Sequence, residues 1–204
     1  MATTEQHILH GICLRLIHGL PTSRPEVLVL VRWMAGRSDL FGALPPLVVQ
    51  TRRDLVLDAH GVELLTSHLA DRLAATPEPH DTGLARLDAI AAHLELTFEE
   101  TTILRHLALQ HRQGPLADFA AMLQREIGAS TEAVIALCCN LDETDVCTAL
   151  APQRRLVTIG LVQTDSTLDI LREDPYTLSG LLLALLSPPP QRPSIPVSGR
   201  GTLG

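Results

Sequence analysis

Residues Leu141 to Asp165 read LDETDVCTALAPQRRLVTIGLVQTD, and the order of signals within them sets the architecture expected of the chain. Asp142 is placed to cap a helix, with a second acid, Asp145, three residues on to complement the dipole. Val146, Ala149 and Leu150 follow at helical spacing. Ala151-Pro152 breaks the run, because proline has no amide to donate and disfavours helix in the residue before it. A second short turn carries Leu156 and Val157 to Gly160, a left-handed C-cap before an extended Leu161-Val162. A short helix ending in Leu-x-x-x-Gly-Leu-Val and running into a polar strand is how a winged helix-turn-helix delivers its third helix into its wing. The expected fold is therefore mainly α: a helical bundle followed by a winged helix-turn-helix with a small β-wing.

Upstream, Ser130 caps a helix with Val134, Ile135, Leu137 and Cys138 inward. Gly128 ends the helix before it, which carries Phe119, Met122, Leu123 and Ile127 and is set off by Gly114-Pro115. Thr97 and Glu100 have capping-box spacing ahead of Ile103, Leu104, Leu107 and Leu109. Leu84, Leu87, Ile90, Ala91 and Leu94 form one more helical stripe. Residues 76–83 read as a linker between an N-terminal helical part, 1–75, and the domain at 84–187.

Within that N-terminal part, Ile8, Leu9, Ile12, Leu16 and Leu20 line one side of a helix over Glu5 to Gly19. Val27 to Met34 is apolar on nearly all sides, and its length and the capping signals at Ser23, Pro25 and Glu26 favour helix over strand. Leu47 to Val49 and Leu55 to Leu57 are expected to pair as a hairpin around Thr51 to Asp54. Val62, Leu65, Leu69 and Leu73 then mark a helix over Gly61 to Ala75.

Downstream, Ser166 to Arg172 is expected to return as the second wing strand through Leu168, Ile170 and Leu171. Thr177 is expected to cap a last helix from Leu178 to Leu186. Residues 188–204 are rich in Pro, Gly and Ser and read as a flexible tail.

Composition narrows the function. Of 204 residues, 46% are hydrophobic but only 2% aromatic, so Leu, Ala, Val and Ile must build the core, which favours packed helices over a β-sandwich. All 16 basic residues are Arg. Without Lys there is no Walker A loop, no kinase β3 lysine and no Schiff-base lysine; the Arg codons of a GC-rich genome account for the bias. Cys13, Cys138, Cys139 and Cys147 have no CxxC or zinc spacing and are expected as buried free thiols in packing roles. Glu5, Gln6 and His7 interrupt any leader-like apolar run, and the apolar run Leu181 to Leu186 is too short to span a bilayer. The expected location is the cytoplasm, away from membranes.

No residues point to chemistry of the chain's own. His7 and His10 are three apart on one helix and His106 and His111 lie on or past another, but no carboxylate falls at metal-ligand spacing from them. No GxSxG elbow occurs. The acids Asp142, Glu143 and Asp145 near Cys147 would raise its pKa, against what a thiol nucleophile needs. Glu99-Glu100 and Glu173-Asp174 are placed at helix starts, where dipole complementarity explains them. Neither a catalytic residue, a metal nor a cofactor is expected.

The net charge of −7 opposes nucleic-acid binding, since phosphate neutralisation supplies most of that affinity. On the helix beginning at Asp142, the residues expected to face outward are Glu143, Thr144, Asp145 and Thr148, with Arg154 and Arg155 following. Between Leu141 and Tyr176 seven acids stand against three Arg, a local net of −4. That acidity disfavours duplex DNA and favours a protein partner. The candidate partner-binding residues are Glu143, Thr144, Thr148, Arg154, Arg155 and Gln163.

Two groups of residues carry a resemblance. Leu94-x-Leu96-Thr97-x-Glu99-Glu100-x-x-Ile103-Leu104 leads, through two helices, to Val146-x-x-Ala149-Leu150-x-Pro152-x-x-x-Leu156 and Gly160-Leu161-Val162. From about Leu84 to Ser187 this resembles the N-terminal winged-helix region of bacterial AAA-type ATPases. In that family a Walker A loop, Walker B acids and an arginine finger follow, and none of these occurs here. The resemblance implies a non-catalytic regulatory module that docks on an ATPase core, its substrate or a partner protein. The alternative is a winged-helix transcriptional regulator that binds DNA.

Overall fold

A computed structural model describes residues 4–19, 25–45, 57–75, 80–164 and 175–186. The first helix, α1 (Thr4–Gly19), turns Leu9, Ile12, Cys13, Leu16 and Ile17 inward. Its neighbour α2 (Pro25–Gly36) starts on proline, whose missing N–H is an orphan donor there anyway. Val27, Leu30, Val31 and Met34 are all buried, and that 3-1-3 spacing is helical. The expectation of helix over strand holds. Between α3 (Ser38–Phe41) and α4 (Ala59–Ala75), the expected hairpin falls almost wholly on 46–56, outside the described residues. Leu57, its last residue, is buried and belongs to no strand.

The next four helices start and stop where local chemistry tells them to. Asp81 caps α5 (Thr82–His93), accepting from the Gly83 and Leu84 amides at 2.9 and 3.0 Å. The helix therefore begins inside the stretch read as linker. Thr97 and Glu100 close a capping box on α6 (Phe98–Gln110), at 3.2 and 2.9 Å. Pro115 opens α7 (Pro115–Ile127), and Gly128, at φ +70°, ends it. Ser130 caps α8 (Thr131–Cys139) through the Ala133 amide at 3.0 Å.

Two apolar clusters result. The first joins α1–α4 with one face of α7 and with Val134 and Cys138 of α8. Trp33 sits between Phe41 and Phe119 there, with ring centroids 5.7 and 5.2 Å away. The second joins α5, α6 and the other side of α8 to everything downstream, around Leu87, Ile103, Leu107, Ile135, Val146 and Leu156. Opposite faces of α8 thus serve both clusters.

After α8 come α9 (Glu143–Leu150) and the single turn α10 (Arg155–Thr158). Gly160 reverses the chain at φ +74° into β1 (Val162–Thr164), which pairs antiparallel with β2 (Tyr176–Leu178), Val162 opposite Leu178. The short helix α11 (Gly180–Leu186) packs against α5. The observed architecture is mainly helical with a small two-stranded antiparallel sheet.

Two expectations about this end are corrected. The strand that pairs with β1 is Tyr176–Leu178, whereas Ser166 to Arg172 lies outside the described residues. Tyr-Thr-Leu offers the β-branched and aromatic residues a pleated surface accommodates, and it buries Leu178 beside Val162. Thr177 is consequently a strand residue. Ser179 holds the cap position instead, with its hydroxyl accepting from the Leu182 amide at 3.3 Å.

Gly160→Val is expected to destabilise the fold by about 1 kcal/mol or more, because a β-branched side chain is strained at positive φ. No atom lies within 4 Å of the position a Cβ would take, so the loss isolates backbone strain from crowding. A melting curve identical to wild type would refute it.

Candidate functional site

The candidate surface is carried by α9, α10, β1 and the turn between α5 and α6. Asn140, at φ +58°, ends α8 in a left-handed conformation that asparagine tolerates. Asp142 occupies the N-cap position of α9 as expected, but its side chain makes no capping bond. Glu143 instead accepts from the Ser130 hydroxyl at 3.1 Å, linking the starts of α9 and α8.

Val146 and Leu150 bury one stripe of α9 and leave Glu143, Thr144, Asp145, Cys147 and Thr148 exposed. The outward positions are those read from the sequence, except that Cys147 is on the surface and not in the packing. It falls one residue after Val146, some 100° around the helix and off the buried stripe. Cys13 and Cys138 are buried, and burial pushes their thiols far above the ordinary range. Burial likewise pushes Cys139 up to about 12.

Arg154 and Arg155 part company. Arg154 is exposed at the start of α10. The Arg155 guanidinium donates to the carbonyl oxygens of Leu94 and Glu95, the latter at 3.0 Å. Those carbonyls stand at the end of α5, where Glu95 takes φ +51°; a cation there satisfies orphan acceptors and complements the negative end of the dipole. Arg155 is therefore a clamp between α10 and the α5–α6 turn. Arg155→Ala is expected to cost about 1–2 kcal/mol, and Arg154→Ala to change stability by no more than about 0.5 kcal/mol. Equal midpoints for the two variants in urea denaturation would refute this assignment.

Two apolar side chains close in sequence to the clamped residues are exposed. Ile159, one turn after Arg155, is 45% exposed, and Phe98, the first residue of α6, is 74% exposed. Sequence reading passed over both. Phe98 was detectable, because the buried stripe Ile103, Leu104, Leu107 extrapolates back to positions 100 and 96 and skips 98. Gln163 is exposed on β1, opposite Thr177. The sheet is moored by Tyr176, whose hydroxyl donates to Glu132 of α8 at 2.5 Å. Burial, reinforced by that carboxylate, raises the phenol above its ordinary pKa.

The histidines weighed as metal ligands lie elsewhere. His10 is buried with Nε2 3.0 Å from the Leu40 carbonyl. His106 is buried, and desolvation lowers it to about 4. His111 is exposed, and Glu100 is committed to the capping box. Glu173-Asp174 lies outside the described residues. Among the described residues no three His, Cys, Asp or Glu side chains gather as a metal site would require, and no helix is long and apolar enough to cross a membrane. The candidate elements thus expose the acids Glu95, Asp142, Glu143 and Asp145 and two apolar side chains, Phe98 and Ile159. Comparison of the chain with protein-family models, curated proteins and solved structures gives no match.

Proposed function

We propose that this chain is a non-catalytic, protein-docking module of winged-helix type, with α8 and α9 as its helix-turn-helix and β1–β2 as its wing. The contact face runs from Phe98 across Arg155 and Ile159 to Thr144, Thr148 and Gln163. One observation carries the reading: Phe98 and Ile159 project into solvent, and Glu95 of the turn between α5 and α6 and Asp142, Glu143 and Asp145 at the start of α9 are exposed acids. Exposed aromatic and aliphatic anchors beside charge suit a protein partner. Duplex DNA is the weaker reading on this face, because its acids repel phosphate and Arg155, one of the two Arg that follow α9, is spent on the fold.

The resemblance noted in the sequence supports an AAA-type ATPase core as the partner, with ATP hydrolysis residing there. A photo-crosslinking residue placed at Ile159 should capture such a core in cells of the source organism. Phe98→Ser with Ile159→Ser should weaken capture at least tenfold with melting unchanged. ATP turnover by this chain alone should be nil. Micromolar binding of mixed-sequence duplex at physiological salt, weakened by Arg154→Ala, would replace this reading with the DNA-binding regulator.

A further inference from the structure

The one-turn helix α3 is held by its last carbonyls. His10 of α1 reaches the Leu40 carbonyl oxygen with Nε2 at 3.0 Å, and Arg72 of α4 donates to the same oxygen at 3.4 Å. His68, also on α4, reaches the Phe41 carbonyl oxygen at 2.8 Å. A carbonyl only accepts, so in neutral His10 the proton sits on Nε2 and Nδ1 is the bare nitrogen. That Nδ1 is shut off from solvent and meets no hydrogen-bond partner among the described residues, in a ring whose centroid is 5.2 Å from that of Phe41. A second proton would therefore make Nδ1 a buried donor without an acceptor, on a charged ring.

We propose that His10 is a proton-operated latch: uptake of a proton at Nδ1 releases α3 from α1 and α4 and uncovers Leu40 and Phe41, while the second apolar cluster stays folded. Leu40 and Phe41 are buried and belong to the first cluster, so their release leaves the packing around Ile103 and Ile135 intact. Arg72 and His68 of α4 and His7 of α1 are the charged or titratable side chains acting on His10, and α2 and α7, which also pack on α1, add none among the described residues. Burial above all, and those bases after it, hold the imidazole below its ordinary 6.5, against the Leu40 carbonyl, which favours the cation. A lowered value in the closed form means that the open form takes the proton first. Closure is fully favoured above pH 6.5 and weakens as the pH falls below it.

Trp33, the single tryptophan, lies against Phe41 with ring centroids 5.7 Å apart and reports on the latch. In the full chain, quenching of its fluorescence by acrylamide should rise about twofold or more between pH 7.5 and pH 5. The methyl NMR signals of Ile103 and Ile135 should keep their native positions over that range. His10→Gln, whose amide nitrogen still donates to Leu40 but takes up no proton, should leave the quenching flat. A second measurement needs no variant: the ring proton signals of His10 in the wild type should titrate with the same midpoint as the quenching. Unchanged quenching in the wild type, an equal rise in His10→Gln, or a His10 midpoint apart from that of Trp33 would each overturn the proposal. Movement of the Ile103 and Ile135 methyls together with Trp33 would also overturn it, in favour of unfolding of the whole chain.

Discussion

Acidification from pH 7 to pH 4 is expected to cost the fold up to about 3 kcal/mol through His106 alone. The imidazole is buried and desolvation depresses it from 6.5 to about 4. A depressed folded-state value means that the unfolded chain takes up the proton first. The contribution is fully present above pH 6.5, drains away as pH falls towards 4, and changes no further once both states are protonated. His10, lowered chiefly by burial, works in the same direction. Glu5, raised chiefly by burial, opposes it as the pH approaches 4.5 from above. Asp81, held at about 2 mainly by its hydrogen bond from Arg112, loses its contribution only below its ordinary 3.8 and lies outside this window. Urea denaturation of wild type and His106→Leu at pH 7, 5.5 and 4.5 separates the terms. The variant should lose less stability across the series by about 2 kcal/mol, whatever its absolute stability. Parallel losses in the two proteins would show that His106 is not the group responsible.

Gly114→Ala is the second large expectation, a loss of about 2–4 kcal/mol from a single methyl group. The backbone gives no reason for it, since φ −94° and ψ −164° suit any residue. The reason is Glu5, from the first turn of α1, whose buried carboxylate lies against Gly114 and accepts from the Leu116 amide. It thereby caps α7 from another helix, where the residue at the cap position has no side chain to do so. A Cβ on residue 114 would sit 2.7 Å from Glu5 Cδ and nearer still to Oε2. To admit it, the carboxylate must leave its amide and move away from the favourable charge of Arg112. The double variant Glu5→Ala/Gly114→Ala removes the clash, so its loss should fall at least 1 kcal/mol short of the sum of the single losses, by an order-of-magnitude coupling argument. Strict additivity would mean that the two residues do not meet.

How far each feature was legible depends on how far apart its determinants lie. The capping box at Thr97 and Glu100, the caps at Ser130 and Gly128 and the reversal at Gly160 appear at the residues named from the sequence. The second strand was misplaced because Ser166 to Arg172 and Tyr176–Leu178 both supply alternating apolar residues, and only pairing with Val162 distinguishes them. The outward face of α9 was legible down to Thr148, and the exposure of Phe98 could be read from the α6 stripe; Ile159 and the distinct duties of Arg154 and Arg155 were not legible.

What the sequence determined by itself is most of the longer helices, the caps at Thr97, Ser130 and Gly128 and the buried stripes, because caps and 3.6-residue periodicity act within one or two turns. Tertiary structure alone decided that Arg155 closes α5 sixty residues away, that Glu5 makes Gly114 obligatory, and that Cys147 faces solvent while Cys138 does not. In each case a polar group or a small residue takes its role from a neighbour distant along the chain, and no local pattern encodes which neighbour that will be.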